Sequence, residues 1–411
     1  MYKQMWNNHN IRYYLLGGGV SRLGDVLSGM AFLFMAYDIT NSKGLTTGIA
    51  LAETLPYLLF GLIGGVVADW LPKKKWLIIL DLIRIPLIFS VVCFYYFELL
   101  SYFYLLVVSF LIQSIGCFFN PTHRTVLPLV SSTEERTTAN SLNDTLARGV
   151  TVLSPFISVW LLNQYGAIHF FTVDAFTYAI SAYCISKVNL KETPPKIEKS
   201  IKSVFLSIYE FATWAKSHVE IRKLFLFTFM IVFLNTWVWE VGLLLALSEM
   251  SSESEQLYSM MQGIFGGVVI LTNIVLPFFL KRMSLRMYLV GALIWGLGIS
   301  YYGFLYDIHH FFIGCAIVGI GLPIAGQARV YLIQTLVPEG KLGRAFSSNA
   351  FLLYLSNTIS LAMYGLLVSF IPIQWLMTFS GLLILLTGGF GLWITVKRTK
   401  MRWRFSINFL K

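Results

Sequence analysis

The stretch Gly64-Gly-Val-Val-Ala-Asp-Trp-Leu-Pro-Lys-Lys-Lys75 joins two apolar runs, near 46–69 and 76–97. Each run is longer than the roughly 18 to 20 residues that a helix needs to cross the hydrocarbon core of a bilayer. The lysines fall between the runs, where a chain that leaves the membrane carries its charge. The stretch therefore predicts two membrane-spanning helices joined by a short polar turn.

The same alternation of long apolar runs and short polar connections continues along the chain. Of its 411 residues, 56% are hydrophobic and 12% are charged, which is about half the charged share of a soluble domain. The alternating pattern of barrel strands is missing from the sequence. We therefore predict an all-α membrane protein with twelve transmembrane helices in two six-helix halves, near 13–37, 46–69, 76–97, 102–121, 142–163, 168–188, 222–247, 257–280, 286–305, 309–334, 346–369 and 373–396.

One long polar connection separates the two sets of spans. Its segment 201–215 has apolar and charged faces at helical spacing, which favours a helix on the membrane surface over a solvated linker helix. An internal repeat supports two halves, because Arg124 precedes Glu134 by the same interval as Arg329 precedes Glu339. We predict an N-terminal half at 1–188, a cytoplasmic linker at 189–221, a C-terminal half at 222–396 and a basic cytoplasmic tail at 397–411.

The net charge of +11 collects in connections on one side of the predicted membrane. Lys and Arg are retained in the cytoplasm, so both termini are expected there, and the pattern differs from the basic stripe of a nucleic-acid-binding domain. The four cysteines lack metal-ligand spacing, and the sequence contains neither a nucleotide-binding loop nor a His-Glu-x-x-His pattern. We expect no nucleic acid, metal or cofactor, and an ion gradient as the energy source.

Charged residues inside predicted spans are the strongest functional candidates, because each costs roughly 2.5 to 3.5 kcal/mol at the centre of a helix. Some lie three or four residues apart on one helix, so that mutual neutralisation is their simplest interpretation: Arg22 with Asp25, Asp81 with Arg84, and Asp144 with Arg148. Others have no such neighbour and must face a water-filled cavity or a partner on another helix: Glu53, Asp174, Glu240 and Arg329.

Two of these acids have a specific chemical role to offer. Glu240 follows Trp237 and Trp239, and a carboxylate beside aromatic faces can hold a bulky cation, although the tryptophans fit an interfacial belt nearly as well. Asp25 lies near the middle of its predicted helix and can take up a proton if Arg22 points elsewhere.

The opening stretch resembles the signature of the major facilitator superfamily, Gly-x-Leu-Ala-Asp-Arg-x-Gly-Arg-Lys. Gly65, Asp69, Lys73 and Lys74 match it, whereas Trp70 and Pro72 replace its usual Arg and Gly. Further short stretches resemble the macrolide-efflux and enterobactin-exporter branch over nearly the whole chain: Leu23-Gly-Asp25, Asp81-Leu-Ile-Arg84, Asn120-Pro-Thr-His-Arg124, Ala139-Asn-Ser141, Phe171-Thr-Val-Asp-Ala175 and Gly343-Arg-Ala-Phe-Ser347.

This resemblance implies a twelve-span drug:proton antiporter in which Asp69 docks on the start of the eleventh span, near Arg344, as a cytoplasmic gate. For Lys73 and Lys74 the alternative is that they only enforce topology. The antiporter signature of the fifth span is present only as Leu153-Ser-Pro-Phe156, without its paired glycines. The resemblance also implies a monomer in a bacterial inner membrane, with a small-molecule substrate, protons and the lipid bilayer as partners.

We therefore expect a secondary active transporter rather than an enzyme, which exports a hydrophobic or amphiphilic small molecule in exchange for protons by alternating access. Uptake or facilitated transport of a native metabolite is the alternative within transport. A lipid-modifying membrane enzyme is the alternative outside it, against which the sequence shows no convergent set of His, Ser and Asp.

Overall fold

The computed structural model describes residues 2–41, 43–190, 192 and 200–408. Within these residues eleven helices are long and apolar enough to cross a membrane, and the bent helix Arg136–Tyr165 makes twelve if it counts as one span. The predicted all-α architecture with twelve spans is confirmed. Positions 191 and 193–199 of the predicted linker and 409–411 of the predicted tail lie outside the described residues.

Contacts divide the chain into two compact units. The first unit contains Met1–Ala215 and Ile333–Phe351. It therefore includes the end of the predicted span near 309–334 and the beginning of the one near 346–369. Apolar periodicity does not reveal this grouping. Its helices are α1 (Tyr2–Asn7), α2 (His9–Thr40), α3 (Lys43–Trp70), α4 (Lys73–Tyr96), α5 (Tyr102–Val130), α6 (Arg136–Tyr165), α7 (Ile168–Lys187) and α8 (Ile201–Ser217).

The second unit contains Lys216–Leu332 and Leu352–Lys411. A π-helical turn, Val238–Gly242, joins its first two helices into one span. The helices that begin after the linker are α9 (Val219–Trp237), α10 (Leu243–Met250), α11 (Ser254–Phe279), α12 (Leu285–Phe304), α13 (Ile308–Leu336), α14 (Leu342–Leu367) and α15 (Ile373–Asn408).

Large apolar side chains are exposed along the spans. Phe103, Phe156 and Phe279 are 71%, 73% and 79% exposed. Soluble proteins rarely leave contiguous apolar surface of this kind in water, whereas acyl chains solvate it well. The exposed faces of the spans are therefore suited to lipid.

Small residues and one proline set the local packing of the first unit. A Cβ atom at Gly64 of α3 would collide with the carbonyl oxygen of Cys117 in α5, so glycine permits this close helix contact. α6 bends by 44° between Arg136–Ser154 and Phe156–Tyr165. The sequence has a proline at position 155, between these two segments, and proline removes a backbone hydrogen bond from a helix.

The helix α8 has one buried and one exposed apolar face. Ser207, Phe211 and Ala215 are buried, whereas Phe205 and Tyr209 are 64% and 70% exposed. The buried face packs within the first unit, and the aromatic face is exposed.

Candidate transport site

The first unit contains a polar cavity of about 320 Å³. Five of its charged lining residues come from four helices, and uncharged polar groups such as Tyr57, Gln113, Asn120 and Asn143 complete the lining. The charged residues are Arg22 and Asp25 of α2, Glu53 of α3, Arg84 of α4 and Arg124 of α5. The structure thus brings together several of the charges that the sequence singled out, in a cavity with room for a polar group of a substrate.

Asp25 faces this cavity and has a partner on another helix. Its Oδ1 accepts a hydrogen bond of 2.7 Å from the Tyr178 hydroxyl of α7. Arg22 interacts electrostatically with Asp144 of α6 as well as with Asp25. The Asp25 carboxylate is therefore anchored by α7 while remaining open to the cavity.

Arg84 lies deeper, and its charge is buried. Its Nη1 lies 3.8 Å from Oδ1 of Asp81, one helical turn earlier. The guanidinium carbon lies 4.7 Å from the ring centroid of Phe119 and 5.1 Å from that of Tyr178. Cation–π contacts and a carboxylate thus hold this guanidinium at the inner wall of the cavity.

Two further acids of the first unit differ in their surroundings. The Glu53 carboxylate is half-buried at the cavity, and within the described part of the chain no hydrogen bond or ion pair reaches it. Asp144 and Arg148 lie 3.8 Å apart, and each side chain is about one-third exposed, at 33% and 35%. Glu53 is thus available to a ligand, whereas Asp144 is held by a neighbour on its own helix.

A second constellation lies where α3 ends. Asp69 Oδ1 accepts a hydrogen bond of 2.6 Å from the Gly343 amide, and its Oδ2 accepts bonds from the Arg344 amide and Nε at 3.2 and 2.9 Å. These donors belong to the first turn of α14, where a helix presents unpaired N–H groups and partial positive charge to an anion. The backbones approach closely, because a Cβ atom at Gly65 would lie only 2.6 Å from the Gly343 carbonyl oxygen. We call this contact, made by Gly65 and Asp69 with Gly343 and Arg344, the gate latch, after the gate that the resemblance to the signature implies.

Further polar contacts hold the same segment. The side-chain amides of Asn140 and Gln334 exchange hydrogen bonds of 2.7 and 3.2 Å, and Arg136 Nη1 donates to the Gln334 carbonyl at 3.1 Å. Arg344 Nη1 also donates to the Ser207 carbonyl of α8 at 3.3 Å. Sequence reasoning did not identify these residues, although Asn140 lies in a motif and Gln334 in the internal repeat.

The lysines of the signature have an unexpected neighbour. The backbone amides of Lys73 and Lys74 donate to the two carboxylate oxygens of Glu192, at 2.6 and 3.1 Å. Glu192 therefore caps the N-terminus of α4, whose Pro72 supplies no side-chain cap. Apart from an acidic residue in a polar linker, no feature of the sequence indicates this contact.

The candidates of the second unit lie in different surroundings. Trp237 is buried and stacks on Tyr364 with ring centroids 5.4 Å apart, and Trp239 packs on Phe265 at 4.3 Å. Glu240 is exposed in the π-helical turn, a feature that often marks functional sites. The structure therefore engages the Trp237 ring in the core of this unit and leaves Glu240 accessible.

Arg329 is half-buried on α13 and interacts electrostatically with Tyr288 of α12. Among the described residues, no group of three or more His, Cys, Asp or Glu side chains is placed to hold a metal ion.

Comparisons with known proteins agree with this architecture. The chain is 24% identical over 396 residues to macrolide efflux protein A of Streptococcus pyogenes, covering 93% of this chain and 95% of that protein. Its fold is similar to that of a bacterial homologue of the iron transporter ferroportin in the outward-facing state, with a TM-score of 0.73, 16% identity and coverage of 93% and 98%. It is also similar to the E. coli fucose:proton symporter, with a TM-score of 0.73, 13% identity and coverage of 93% and 99%.

These proteins are transporters and not enzymes, and at such low identity the solved structures establish the fold alone. The sequence model of the transmembrane secretion effector family matches residues 8–408. The predicted resemblance is therefore confirmed, and the chain belongs to the transmembrane secretion effector family of the major facilitator superfamily.

Proposed function

We propose that this multi-pass membrane transporter is a secondary exporter of an amphiphilic small molecule, which it exchanges for protons by alternating access. The observation that carries the proposal is the polar cavity, in which Asp25 and Glu53 present carboxylates to a compartment inside a bundle of spans. A charged group in the membrane is costly, so carboxylates facing a cavity mark a path for ions or substrate. Either acid can exchange a proton for a cationic group of the substrate.

The gate latch supports the alternating-access part of the proposal. Asp69 is bound by three donors at the start of α14, so the contact is strong while it exists and is lost completely when the segment moves away. We propose that the latch lies at the cytoplasmic face, with both termini on that side, because the basic connections require this orientation. Opening the latch then gives the cavity access to the cytoplasm.

The relationship to a macrolide efflux protein favours a macrolide as the first substrate to test. Inside-out membrane vesicles carrying the protein are expected to accumulate a radiolabelled macrolide when their lumen is acidified, and to release it when the pH gradient is collapsed. Asp25→Asn and Glu53→Gln are expected to reduce the accumulation, whereas Asp38→Asn, at an exposed acid outside the cavity, retains it. A macrolide that only equilibrates, to the same level with and without the pH gradient, would leave facilitated transport as the function.

A further inference from the structure

Behind the cavity, the first unit places three acids around one guanidinium, and two of the three acids are buried. Asp25, Asp81 and Asp174 come from α2, α4 and α7, and Arg84 is the cation between them. Asp81, Asp174 and Arg84 are at most 3% exposed, whereas Asp25 faces the cavity. An uncompensated buried charge is strongly destabilising. Each acid of this acidic cluster must therefore either have a partner for its negative charge or carry a proton.

Two of the three acids have partners for a negative charge. Asp81 is paired with Arg84 at 3.8 Å. Asp25 accepts the Tyr178 hydroxyl and also interacts with Arg22 in the cavity. No described residue forms an ion pair with Asp174, whose neighbours are Asp25, Arg84 and the hydroxyls of Ser28 and Thr177.

The hydrogen bonds of Asp174 indicate which form its carboxyl group takes. The Thr177 Oγ1 lies 2.8 Å from the Asp174 carbonyl oxygen and 3.1 Å from Asp174 Oδ1. A hydroxyl has one proton to donate, and the carbonyl is the closer acceptor. The contact with Oδ1 is then satisfied when the carboxyl group itself carries the proton and donates it to Thr177.

The burial of the Asp174 carboxyl group also favours its protonated form. Asp174 Oδ2 is buried without a hydrogen-bond partner among the described residues. Both oxygens of Asp81 are buried in the same way, but Asp81 has the Arg84 guanidinium 3.8 Å away, whereas Asp174 has no such cation. Desolvating an ionised carboxylate costs far more than desolvating a neutral acid. The neutral form of Asp174 is therefore the one that this environment stabilises.

The groups around Asp174 come from each helix that packs on α7. α2 presents Asp25, α4 presents Arg84 with its partner Asp81, and α7 itself presents Tyr178. The described charged residues of α6 that lie near this region, Asp144 and Arg148, act on Arg22 instead. Gly24 brings Asp174 against α2, because a Cβ atom there would collide with Asp174 Oδ1 and Thr177 Oγ1.

We infer that Asp174 is a proton-binding site, whose proton is exchanged with the cavity through Asp25. In this step the O–H bond of Asp174 breaks and one forms on the Asp25 carboxylate, so the charge of the cluster is unchanged, and Asp25 then releases the proton to the cavity. The role of this proton in transport rests on the proposed proton-coupled export, whereas the protonation of Asp174 does not.

Infrared spectroscopy of the purified protein tests the protonation directly. The wild-type spectrum minus that of Asp174→Asn at neutral pH is expected to contain the C=O stretching band of a protonated carboxylic acid, shifted in D2O. The same subtraction for Asp38→Asn, an exposed acid, is expected to lack it. A difference spectrum that instead shows the loss of an ionised carboxylate at Asp174 would overturn the inference.

Thermal unfolding separates a proton site from an ion pair. The amide of Asp174→Asn can donate to Thr177 as the neutral acid does, so its melting temperature should stay at the wild-type value. Asp81→Asn removes the partner of Arg84 and should lower it clearly. An equal loss in both variants would mean that Asp174 is ionised, against the inference.

Transport then distinguishes this inference from the proposed function. Asp174→Asn is expected to move substrate down its gradient while losing accumulation driven by the pH gradient. A protonated Asp174 in a wild-type protein that shows no gradient-driven accumulation would support the site and reject the export proposal. Gradient-driven accumulation without the acid band would support export and reject the site.

Discussion

Replacing Asp69 with Asn removes the anion from the gate latch while nearly preserving side-chain size. The three hydrogen bonds that Asp69 accepts include one from the buried Arg344 guanidinium, which loses its counter-ion. Breaking a buried ion pair by removing one partner costs about 3–5 kcal/mol. Because every 1.4 kcal/mol is a factor of ten, the equilibrium between closed and open latch should shift by at least about 100-fold toward open.

Hydrogen exchange measured by mass spectrometry reads this shift locally. The amides of Gly343 and Arg344 lie in the first turn of α14 and take Asp69 as acceptor, so their protection depends on the latch. We expect their exchange to accelerate by about 100-fold in Asp69→Asn. Asp38→Asn is the matched control, since it makes the same change at an exposed acid of α2. Unchanged exchange at Gly343 and Arg344 in Asp69→Asn would refute the view that this carboxylate holds the segment.

Three further predictions test other contacts. Gly24→Ala should lower the melting temperature, because overpacking against Asp174 costs about 1–3 kcal/mol. Gly19→Ala on the same helix meets no atom within 4 Å and should be tolerated. Equal effects of the two substitutions would contradict this packing. Glu192→Gln removes a negative charge from the N-terminus of α4 and should lower the free energy of unfolding, measured in denaturant, by about 0.3–1 kcal/mol. A larger loss of stability in Glu210→Gln on α8 would count against the cap. Glu53→Gln should weaken equilibrium binding of a cationic substrate by roughly tenfold or more, as expected for the loss of a charged hydrogen bond. Glu98→Gln, at an exposed acid, is the control, and equal affinity in the two variants would exclude Glu53 as the counter-ion of the substrate.

Apolar periodicity predicted the spans because it is a local property of the sequence. The helices extend beyond the apolar runs where polar turns carry contacts. α14 begins at Leu342, whereas the predicted span begins near 346. The additional turn contains Gly343 and Arg344, which contact Asp69. Hydropathy detects the part of a helix that lies in lipid, but it does not predict the polar turns by which the helix extends beyond the lipid.

The resemblance implied the contact of Asp69 with the start of α14, but the other polar contacts between distant segments were beyond sequence reasoning. Asn140 and Gln334 are 194 positions apart, and Lys73 and Glu192 are 119 apart. Each pair consists of ordinary polar residues, whose meeting depends on how the spans pack. Asp174 was singled out as a charge without a neighbour on its own helix, and the structure adds the Thr177 geometry from which its proton is inferred.

Coupling between substrate movement and proton movement can be measured in proteoliposomes of the purified protein. The lumen is loaded with a pH-sensitive dye, and a macrolide gradient is imposed across the membrane without any initial pH gradient. Macrolide that moves down its gradient is expected to drive protons in the opposite direction, so that the dye reports a change in luminal pH. Asp174→Asn is expected to abolish this change. Macrolide that equilibrates across the membrane with no change in luminal pH would contradict proton exchange.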